Sequence, residues 1–276
     1  MSERDRYGGF LGVSSRGSGF FRLERIGGRW WLMTPDGHGF IATGFNHAVE
    51  KYLQASGNRD LWQATLRTPG AFEAMAIQDA RAWNMTAIGY GGVRPKGKFP
   101  YSFRINFPGP SNWMIQPSFP DMFAPEFEEQ CQKAVERDCL DVVDDPWLIG
   151  YWFNDCPEWP LFDRVSKRRP IDWTDAIKAM GPGSPGKRRY VELIRERHGG
   201  IESFNGAYGT KVSSFAALLS DADFIYAVPA RPSARRADDE AFLAEMAERY
   251  LGVCHRAVRR VDADHLILGE IYDGNR

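Results

Sequence analysis

Cysteine is scarce in this sequence, and its few cysteines are not spaced as metal ligands. Only four occur among 276 residues, Cys131, Cys139, Cys156 and Cys254, and none forms a CxxC or Cys/His pattern. Cys131 and Cys139 fall within one helical pattern, where packing in a core is the simpler interpretation. The sequence therefore gives no support for a metal site, and no metal or cofactor is expected.

Charge of one sign and long apolar runs are also lacking. The net charge is −1, so no overall field would attract nucleic acid or an anionic membrane. The basic stretches at 167–169 and 187–189 are short and are more simply interpreted as solvated. No apolar run approaches the roughly 18–20 residues that cross a bilayer. The charged first ten residues lack the apolar segment of a secretory signal, which predicts a cytoplasmic chain as written, or a secreted or periplasmic one if a leader is missing.

Phosphate-binding and serine-hydrolase motifs are absent as well. The run Gly89-Tyr90-Gly91-Gly92-Val93 matches neither GxxxxGK[ST] nor GxGxxG, and the chain has no GxSxG elbow. A nucleotide-dependent enzyme therefore has no motif in its favour. Aromatic residues, in contrast, make up 13% and include nine tryptophans, many of them beside turn residues. Such rings can stack on the flat apolar faces of sugars, although a large aromatic core is the simpler alternative.

Short apolar runs alternate with helical patterns along the chain. Turn signals at Gly27-Gly28 and Pro35-Asp36-Gly37 predict an N-terminal hairpin. The runs that predict buried strands are residues 40–45, 85–90, 101–107, 148–153 and 265–270. The patterns that predict helices are residues 71–83, 125–143, 187–197, 201–206 and 238–261. Strands that alternate with helices at this spacing imply parallel βαβ units, and residues 160–186 form a long Pro/Gly-rich loop between them.

Two acids follow the strand at 148–153 and lie among tryptophans. Asp155 and Glu158 come directly after it, at the strand end where parallel α/β folds carry their sites. Apolar aromatic walls raise a carboxyl pKa by desolvating the anion. Glycoside hydrolysis needs two such carboxyls, one to protonate the leaving oxygen and one to attack or to activate water. A capping role for Asp155 and a solvated loop position for Glu158 stay open as alternatives.

Polar and aromatic residues also end the neighbouring predicted strands. Asn46 and His47 end the first, whereas Glu270 and Tyr272 end the last. His47 could hydrogen-bond a hydroxyl or act as an acid or base, and a structural role is the alternative. Because the carboxyl ends of parallel strands meet at one edge, a single rim is expected to collect these side chains.

Several segments resemble a known family. GGRWWLMTPDGHGFIATGFNHA, at residues 27–48, resembles the entry segment of agarase-like glycoside hydrolases. LIGYWFND at 148–155, RRYVELIRERHGGIESFNGAYGT at 188–210 and VDADHLILGEIYDGN at 261–275 resemble successive parts of the same clan of (β/α)8 retaining glycosidases. The resemblance covers most of residues 19–275.

The resemblance implies roles for particular residues. In that clan the fourth strand ends in an Asn-Glu pair, whose glutamate is the acid/base, and the seventh strand carries the nucleophile. Asn154-Asp155 stands at the Asn-Glu position, so Asp155 is implied as an acid/base one methylene shorter, with Glu158 as the fallback. Residues 266–270 match the fifth strand, which puts the nucleophile beyond residue 276. Glu270 takes that role only if this alignment is set aside.

The sequence thus predicts an α/β fold of the (β/α)8 TIM-barrel type, incomplete at about five of eight strands. A β-hairpin is expected over residues 1–38 and a partial barrel over residues 39–276, with the long loop at 156–186. The expected function is a retaining, agarase- or β-galactosidase-like glycoside hydrolase acting on a β-linked polysaccharide or oligosaccharide; the alternative is a non-catalytic carbohydrate-binding remnant. The expected partner is carbohydrate, not nucleic acid or membrane, with self-association through exposed sheet edges. The residues expected to bind sugar are Asn46, His47, Tyr90, Trp152, Asn154, Trp159 and Tyr272.

Overall fold

The computed structural model of the protein describes residues 3–53, 55–66, 68–111, 114, 118–157, 159–163, 172–228, 231 and 233–271. The chain divides into two units, each assembled from separate segments. The first unit comprises Met1–Asn106, Glu136–Phe153 and Arg260–Ile271. The second comprises Phe107–Val135, Asn154–Arg259 and Tyr272–Arg276. Among the described residues, no helix is both long enough and apolar enough to cross a membrane.

Among its described residues, the first unit contains the strands and three complete helices. Its strands are β1 (Phe10–Ser14), β2 (Arg22–Ile26), β3 (Arg29–Met33), β4 (His38–Phe40), β5 (Gly44–Phe45), β6 (Ala87–Ile88), β7 (Tyr101–Ile105), most of β8 (Leu148–Asp155) and β9 (Leu266–Ile271). Its helices are α1 (Glu50–Leu53), α2 (Arg59–Thr65) and α3 (Ala71–Ala82). The second unit contains most of α4 (Pro125–Cys139), then α5 (Trp173–Lys178), α6 (Pro185–His198), α7 (Ile201–Tyr208), α8 (Phe215–Ser220), α9 (Phe224–Ala227) and most of α10 (Ser233–Val261).

The predicted hairpin is part of a four-stranded antiparallel sheet with the order β1-β4-β3-β2. Between β2 and β3 the register runs from Arg22 opposite Met33 to Ile26 opposite Arg29. The two residues left for the turn, Gly27 and Gly28, both have positive φ, 58° and 81°. Two-residue hairpin turns of this kind match the twist of the strands they join, and glycine takes them without steric cost.

The apolar run at 40–45 was expected to be one buried strand, and this expectation is wrong. Phe40 belongs to β4 in the antiparallel sheet, only Gly44 and Phe45 pair in the second sheet, and Ile41 between them is 67% exposed. The hydroxyl of Thr86 donates to the Ile41 carbonyl at 2.6 Å and accepts the Thr43 amide at 2.9 Å. A side chain therefore satisfies the backbone where the chain passes from one sheet to the other.

The second sheet has the strand order β5-β6-β7-β8-β9. Adjacent strands from β5 to β8 pair in parallel, as the alternation of strands and helices predicted. β9 lies beside β8, and a Cβ added to Gly150 would come within 2.3 Å of the Leu266 carbonyl oxygen. Glycine at position 150 is therefore required for this approach. In the first unit, Tyr7, Phe21, Phe40, Ala87 and Ile149 form one buried cluster.

The helical predictions in the second unit are largely confirmed. α10 buries completely the residues whose spacing of four predicted it, which are Phe242, Met246, Tyr250, Cys254 and Val258. Cys131 and Cys139 are buried free thiols, as core packing predicted, and burial raises the pKa of Cys139 to about 12. The described part of the segment 160–186 is not structureless, because it contains α5 and the first two residues of α6. Asp172 and Ser184 cap these two helices, because their side chains accept backbone N–H groups of the first turn. The many prolines and glycines of the segment made these capping signals hard to recognise in the sequence.

Candidate active site

In the first unit, the segments that follow β5 and β6 contact each other. The amide of His47 donates to the Tyr90 carbonyl at 2.9 Å, and the two rings meet edge to face at 4.9 Å. His47 has a positive φ of 58°, and both Asn46 and His47 are exposed. This part of the structure brings together three residues that the sequence analysis expected to bind sugar.

Two glycines make room for these side chains. A Cβ on Gly89 would come within 1.8 Å of Asn46 Oδ1, and one on Gly91 within 2.7 Å of His47 Nδ1. The glycine-rich run at 89–92 has no phosphate-binding pattern, and here its glycines allow the backbone to pass close to Asn46 and His47. The glycines of this run are therefore the sequence feature that indicates the contact with Asn46 and His47.

At the end of β8, two residues that are not glycine have left-handed backbone angles. Asn154 has φ of 30° and Cys156 has φ of 48°, on either side of the half-buried Asp155. Such conformations are costly for residues with a side chain and persist where surrounding contacts impose them, often at functional sites. They also break the alternation of side chains along a strand, so the direction of Asp155 does not follow from its position in the sequence. The Cys156 thiol lies 3.5 Å from Asp155 Oδ1.

In the second unit, Asn154 is fixed by two hydrogen bonds and is only 5% exposed. Its Oδ1 accepts the Phe107 amide at 2.9 Å, and its Nδ2 donates to the Tyr250 hydroxyl at 2.5 Å. Both polar ends of the amide are therefore engaged, and this sets its orientation. Asn154 was predicted from the sequence as a sugar-binding residue, whereas Tyr250 was predicted only as a core residue of α10.

Tyr250 also contacts two tryptophans, and the three rings form an aromatic trio of Trp159, Trp173 and Tyr250. Trp159 and Trp173 are stacked at 4.7 Å with 26° between their planes. Tyr250 meets both edge to face, at 5.4 and 5.3 Å. Trp173 and Tyr250 are buried, whereas Trp159 is partly exposed. Trp159 was an expected sugar-binding residue, and its two supporting rings were not anticipated.

The remaining predicted residues have separate positions. Trp152 lies within β8, where its indole N–H donates to the Ser102 hydroxyl on β7 at 3.0 Å. Glu270 lies in β9 and is half-buried, directly after Gly269 with its φ of 87°. Glu158 and Tyr272 lie outside the described residues. No group of three or more His, Cys, Asp and Glu side chains within the described ranges could hold a metal ion.

Comparisons with known proteins confirm the resemblance to agarase-like glycoside hydrolases. The chain is 23% identical to β-agarase B of Vibrio sp. (strain JT0107), over 98% of this chain and 35% of that protein. Among solved structures, an exo-β-agarase superposes with a TM-score of 0.76 at 19% identity, over 99% of this chain and 49% of that chain. The agarase AgWH50C gives 0.72 at 19% identity, over 99% and 48%. The chain thus spans about a third to a half of these relatives' lengths, and no protein-family model matches it.

Proposed function

We propose that this protein is a retaining glycoside hydrolase of the agarase type that acts on a β-linked, galactose-containing polysaccharide or oligosaccharide. The observation that supports this most directly is the end of β8. There Asp155 follows an asparagine whose side chain is fixed at both ends, between two residues with left-handed backbone angles. The similarity to β-agarase B supports the substrate class.

In this proposal Asp155 is the general acid and base. Its protonated carboxyl would give a proton to the glycosidic oxygen as the bond to the anomeric carbon breaks, and a second carboxylate would bond to that carbon. Asp155 would then take a proton from the water that releases the sugar. The family alignment puts this second carboxylate beyond residue 276, and Glu270 is the candidate for it if that alignment is set aside. Glu158 is the fallback acid.

The proposed sugar-binding groups fall into two chemical classes. Asn46, His47 and Asn154 would hydrogen-bond hydroxyls, and the rings at positions 90, 152, 159 and 272 would stack on sugar faces. The proposed scaffold is a (β/α)8 barrel to which the five-stranded sheet contributes its first strands. That scaffold would carry the active-site groups on the carboxyl ends of its strands.

A carbohydrate-binding protein without turnover is the second candidate. The observation in its favour is the aspartate at position 155, where the family pattern has glutamate, because a carboxyl one methylene shorter reaches less far towards a glycosidic oxygen. This candidate keeps the same binding residues and differs only in the absence of catalysis.

The first prediction therefore separates binding from turnover. We expect the chain to bind agarose oligosaccharides and to release reducing ends from them. Asp155→Asn should keep the binding affinity while it lowers turnover by about 10²-fold or more, the range for loss of a general acid. Glu158→Gln should change the apparent affinity more than the rate. Calorimetry and a reducing-sugar assay measure the two quantities, with the exposed Asp144→Asn as a control.

Other outcomes would each change the proposal. Binding without turnover by the wild-type chain would select the non-catalytic candidate. Full activity in Asp155→Asn together with loss of activity in Glu158→Gln would transfer the acid role to Glu158. A wild-type chain that neither bound nor cleaved agarose oligosaccharides or aryl β-galactosides would contradict the proposed function.

A further inference from the structure

The segment that carries Trp159 is tied by its backbone to two buried charges in the second unit. Asp172 accepts the Phe162 amide at 3.0 Å, and the Arg231 amide donates to the Asp163 carbonyl at 3.2 Å. Arg231 Nη2 also pairs with Asp172 Oδ2 at 2.6 Å. Residues 159–163 therefore attach through Asp172 and Arg231 to the start of α5.

These two residues belong to a larger charge network. It contains three acids and three bases, so its formal charges cancel, and its side chains are at most 1% exposed. The members of the charge network are Asp172, Asp175, Lys178, Arg231, Arg235 and Asp239. Burial alone would raise the pKa of Asp239, but Lys178 and Arg235 outweigh it, and the pKa lies below its usual range.

Buried ion pairs are weak stabilisers compared with apolar packing of the same volume, because both charges lose their water. Buried ion pairs instead fix the positions of the residues that form them, since each partner is held at a defined distance. In this network Asp172 is also the N-cap of α5, where its Oδ1 accepts the Asp175 amide at 3.0 Å. Trp173 follows Asp172 directly, so the same carboxylate fixes the backbone beside Trp173 and the segment that carries Trp159.

The aromatic trio is connected in turn to the end of β8. Tyr250 bonds Asn154 and contacts both tryptophan rings. A Cβ on Gly109 would lie 3.3 to 3.5 Å from Tyr250, Trp173 and Asn154 alike. Trp159 is the partly exposed residue of the trio, and it contacts Tyr250, the hydrogen-bond partner of Asn154.

We propose that Asp172 and Arg231 are positioning residues, which hold Trp159 stacked on Trp173 as a preformed platform for a sugar ring beside Asn154 and Asp155. This inference rests on the proposed function and adds to it the groups that fix the platform. A ring that is already immobile loses little conformational freedom when a ligand stacks on it. Weakening the contacts of Asp172 and Arg231 with residues 162 and 163 therefore weakens sugar binding, even though neither charged residue touches the sugar.

The second prediction compares two buried aspartates. In Asp172→Asn one oxygen can still cap α5, but the new NH2 group faces the Phe162 amide and the Arg231 guanidinium, which are both donors. Its control is Asp238→Asn, because Asp238 is about equally buried and pairs with Arg197, His198 and the Tyr208 hydroxyl instead of with residues 162 and 163. We expect both variants to lower the melting temperature. Only Asp172→Asn should weaken the binding of an agarose tetrasaccharide, by about three- to tenfold.

Trp159→Ala and Trp159→Phe calibrate this comparison. The alanine variant should weaken binding by about tenfold, and phenylalanine should restore part of the loss. If Asp172→Asn does not fold, Arg231→Lys provides the same test, because it keeps the positive charge but replaces the planar fork by one ammonium group. Equal loss of affinity in the Asp172 and Asp238 variants, or no loss in either, would overturn the proposal.

A second readout does not depend on sugar. The excited states of two stacked indoles couple and give a paired signal in circular dichroism. Trp159→Phe should remove this signal, and its loss would assign the signal to the stacked pair Trp159 and Trp173. We expect Asp172→Asn to reduce this signal and Asp238→Asn to keep it, and an unchanged signal in Asp172→Asn would refute the positioning role. If the wild-type chain bound no oligosaccharide, the proposed function would be contradicted, and this signal would still decide whether Asp172 positions Trp159.

Discussion

At the scale of single residues, the proposed site depends on backbone angles that most side chains avoid. Asn154, Cys156 and His47 all have positive φ, a region that costs a residue with a side chain roughly 1–3 kcal/mol. Each of the three is a residue of the proposed site or flanks one. Asparagine tolerates the left-handed region better than most residues, and the two hydrogen bonds of the Asn154 side chain hold it there.

The third prediction tests His47 through the glycine beside it. Gly91 has φ of 79°, and an added Cβ would come within 2.7 Å of His47 Nδ1. Gly97 has φ of 68° but open space around its Cβ position, so Gly97→Ala is a matched control. Both alanine variants should lose stability, by about 1 kcal/mol or more, because of the positive φ. Only Gly91→Ala should displace His47 and weaken oligosaccharide binding, as measured by calorimetry beside urea unfolding. Equal affinities in the two variants would remove His47 from the site.

At the scale of elements, α10 combines two chemically different functions along one helix. Its first turns carry Arg235 and Asp239 of the charge network, and Tyr250 lies about 16 Å beyond Asp239 at 1.5 Å per residue.

After the helix, Asp262 accepts the Asp264 and His265 amides at 2.9 and 3.0 Å. Its carboxylate also accepts the Tyr151 hydroxyl of β8 and contacts His265 Nδ1 at 2.7 Å. Asp262 therefore fixes the entry into β9 against β8.

The fourth prediction follows from the pKa of Asp262. Burial would raise this pKa, but hydrogen bonds from His265 and Tyr151 outweigh it and lower the pKa from 3.8 to about 2. The folded state thus binds the proton more weakly than the unfolded state. The stability that Asp262 contributes, about 2 kcal/mol, is present above pH 4 and is lost as the pH falls towards 2.

Urea unfolding between pH 2 and pH 5 measures this contribution. We expect Asp262→Asn to be less stable than the wild-type chain at pH 5 and to lose less free energy of unfolding on acidification. Tyr151→Phe removes one of the side-chain hydrogen bonds to Asp262 and should give an intermediate dependence. Parallel curves for the wild-type chain and Asp262→Asn would show that other carboxyls dominate this range.

At the scale of the whole molecule, the chain matches solved agarases over nearly its full length but covers only about half of theirs. The five-stranded sheet, as described, begins with β5 and ends with β9. Strands at the end of a sheet have backbone groups that can pair with another chain. Self-association through these edges stays a prediction, and it concerns the 276-residue chain itself.

The fifth prediction is that the chain self-associates with increasing concentration. Leu268→Lys places a charge on β9 and should reduce association, since charged edge strands resist pairing. Leu140→Lys is the control, because Leu140 is 61% exposed and lies outside the sheets. Sedimentation velocity over a range of concentrations makes the comparison. A stable monomer at every concentration would count against exposed edges and against an incomplete barrel.

The sequence by itself determined the order and type of most elements and the strand end that carries Asn154 and Asp155. Periodicity is a local property, so the spacing of four along α10 and the apolar run of β8 were readable without the fold. Family motifs indicated Asn46 and His47 as well. The sequence could not predict that residues 40–45 are divided between two sheets. Phe40 and Phe45 are the same residue type in the same apolar run, and only the strands with which they pair differ.

Only the tertiary structure decided which distant groups contact the residues of the proposed site. Tyr250 is 96 residues from Asn154 and Arg231 is 59 residues from Asp172, and no local pattern relates residues that far apart. Tyr250 fits an apolar helical stripe equally well with or without a hydrogen bond. The aspartates and arginines of the charge network resemble surface residues by composition, and they became buried partners because folding placed opposite charges within hydrogen-bonding distance, without which their burial would be too costly.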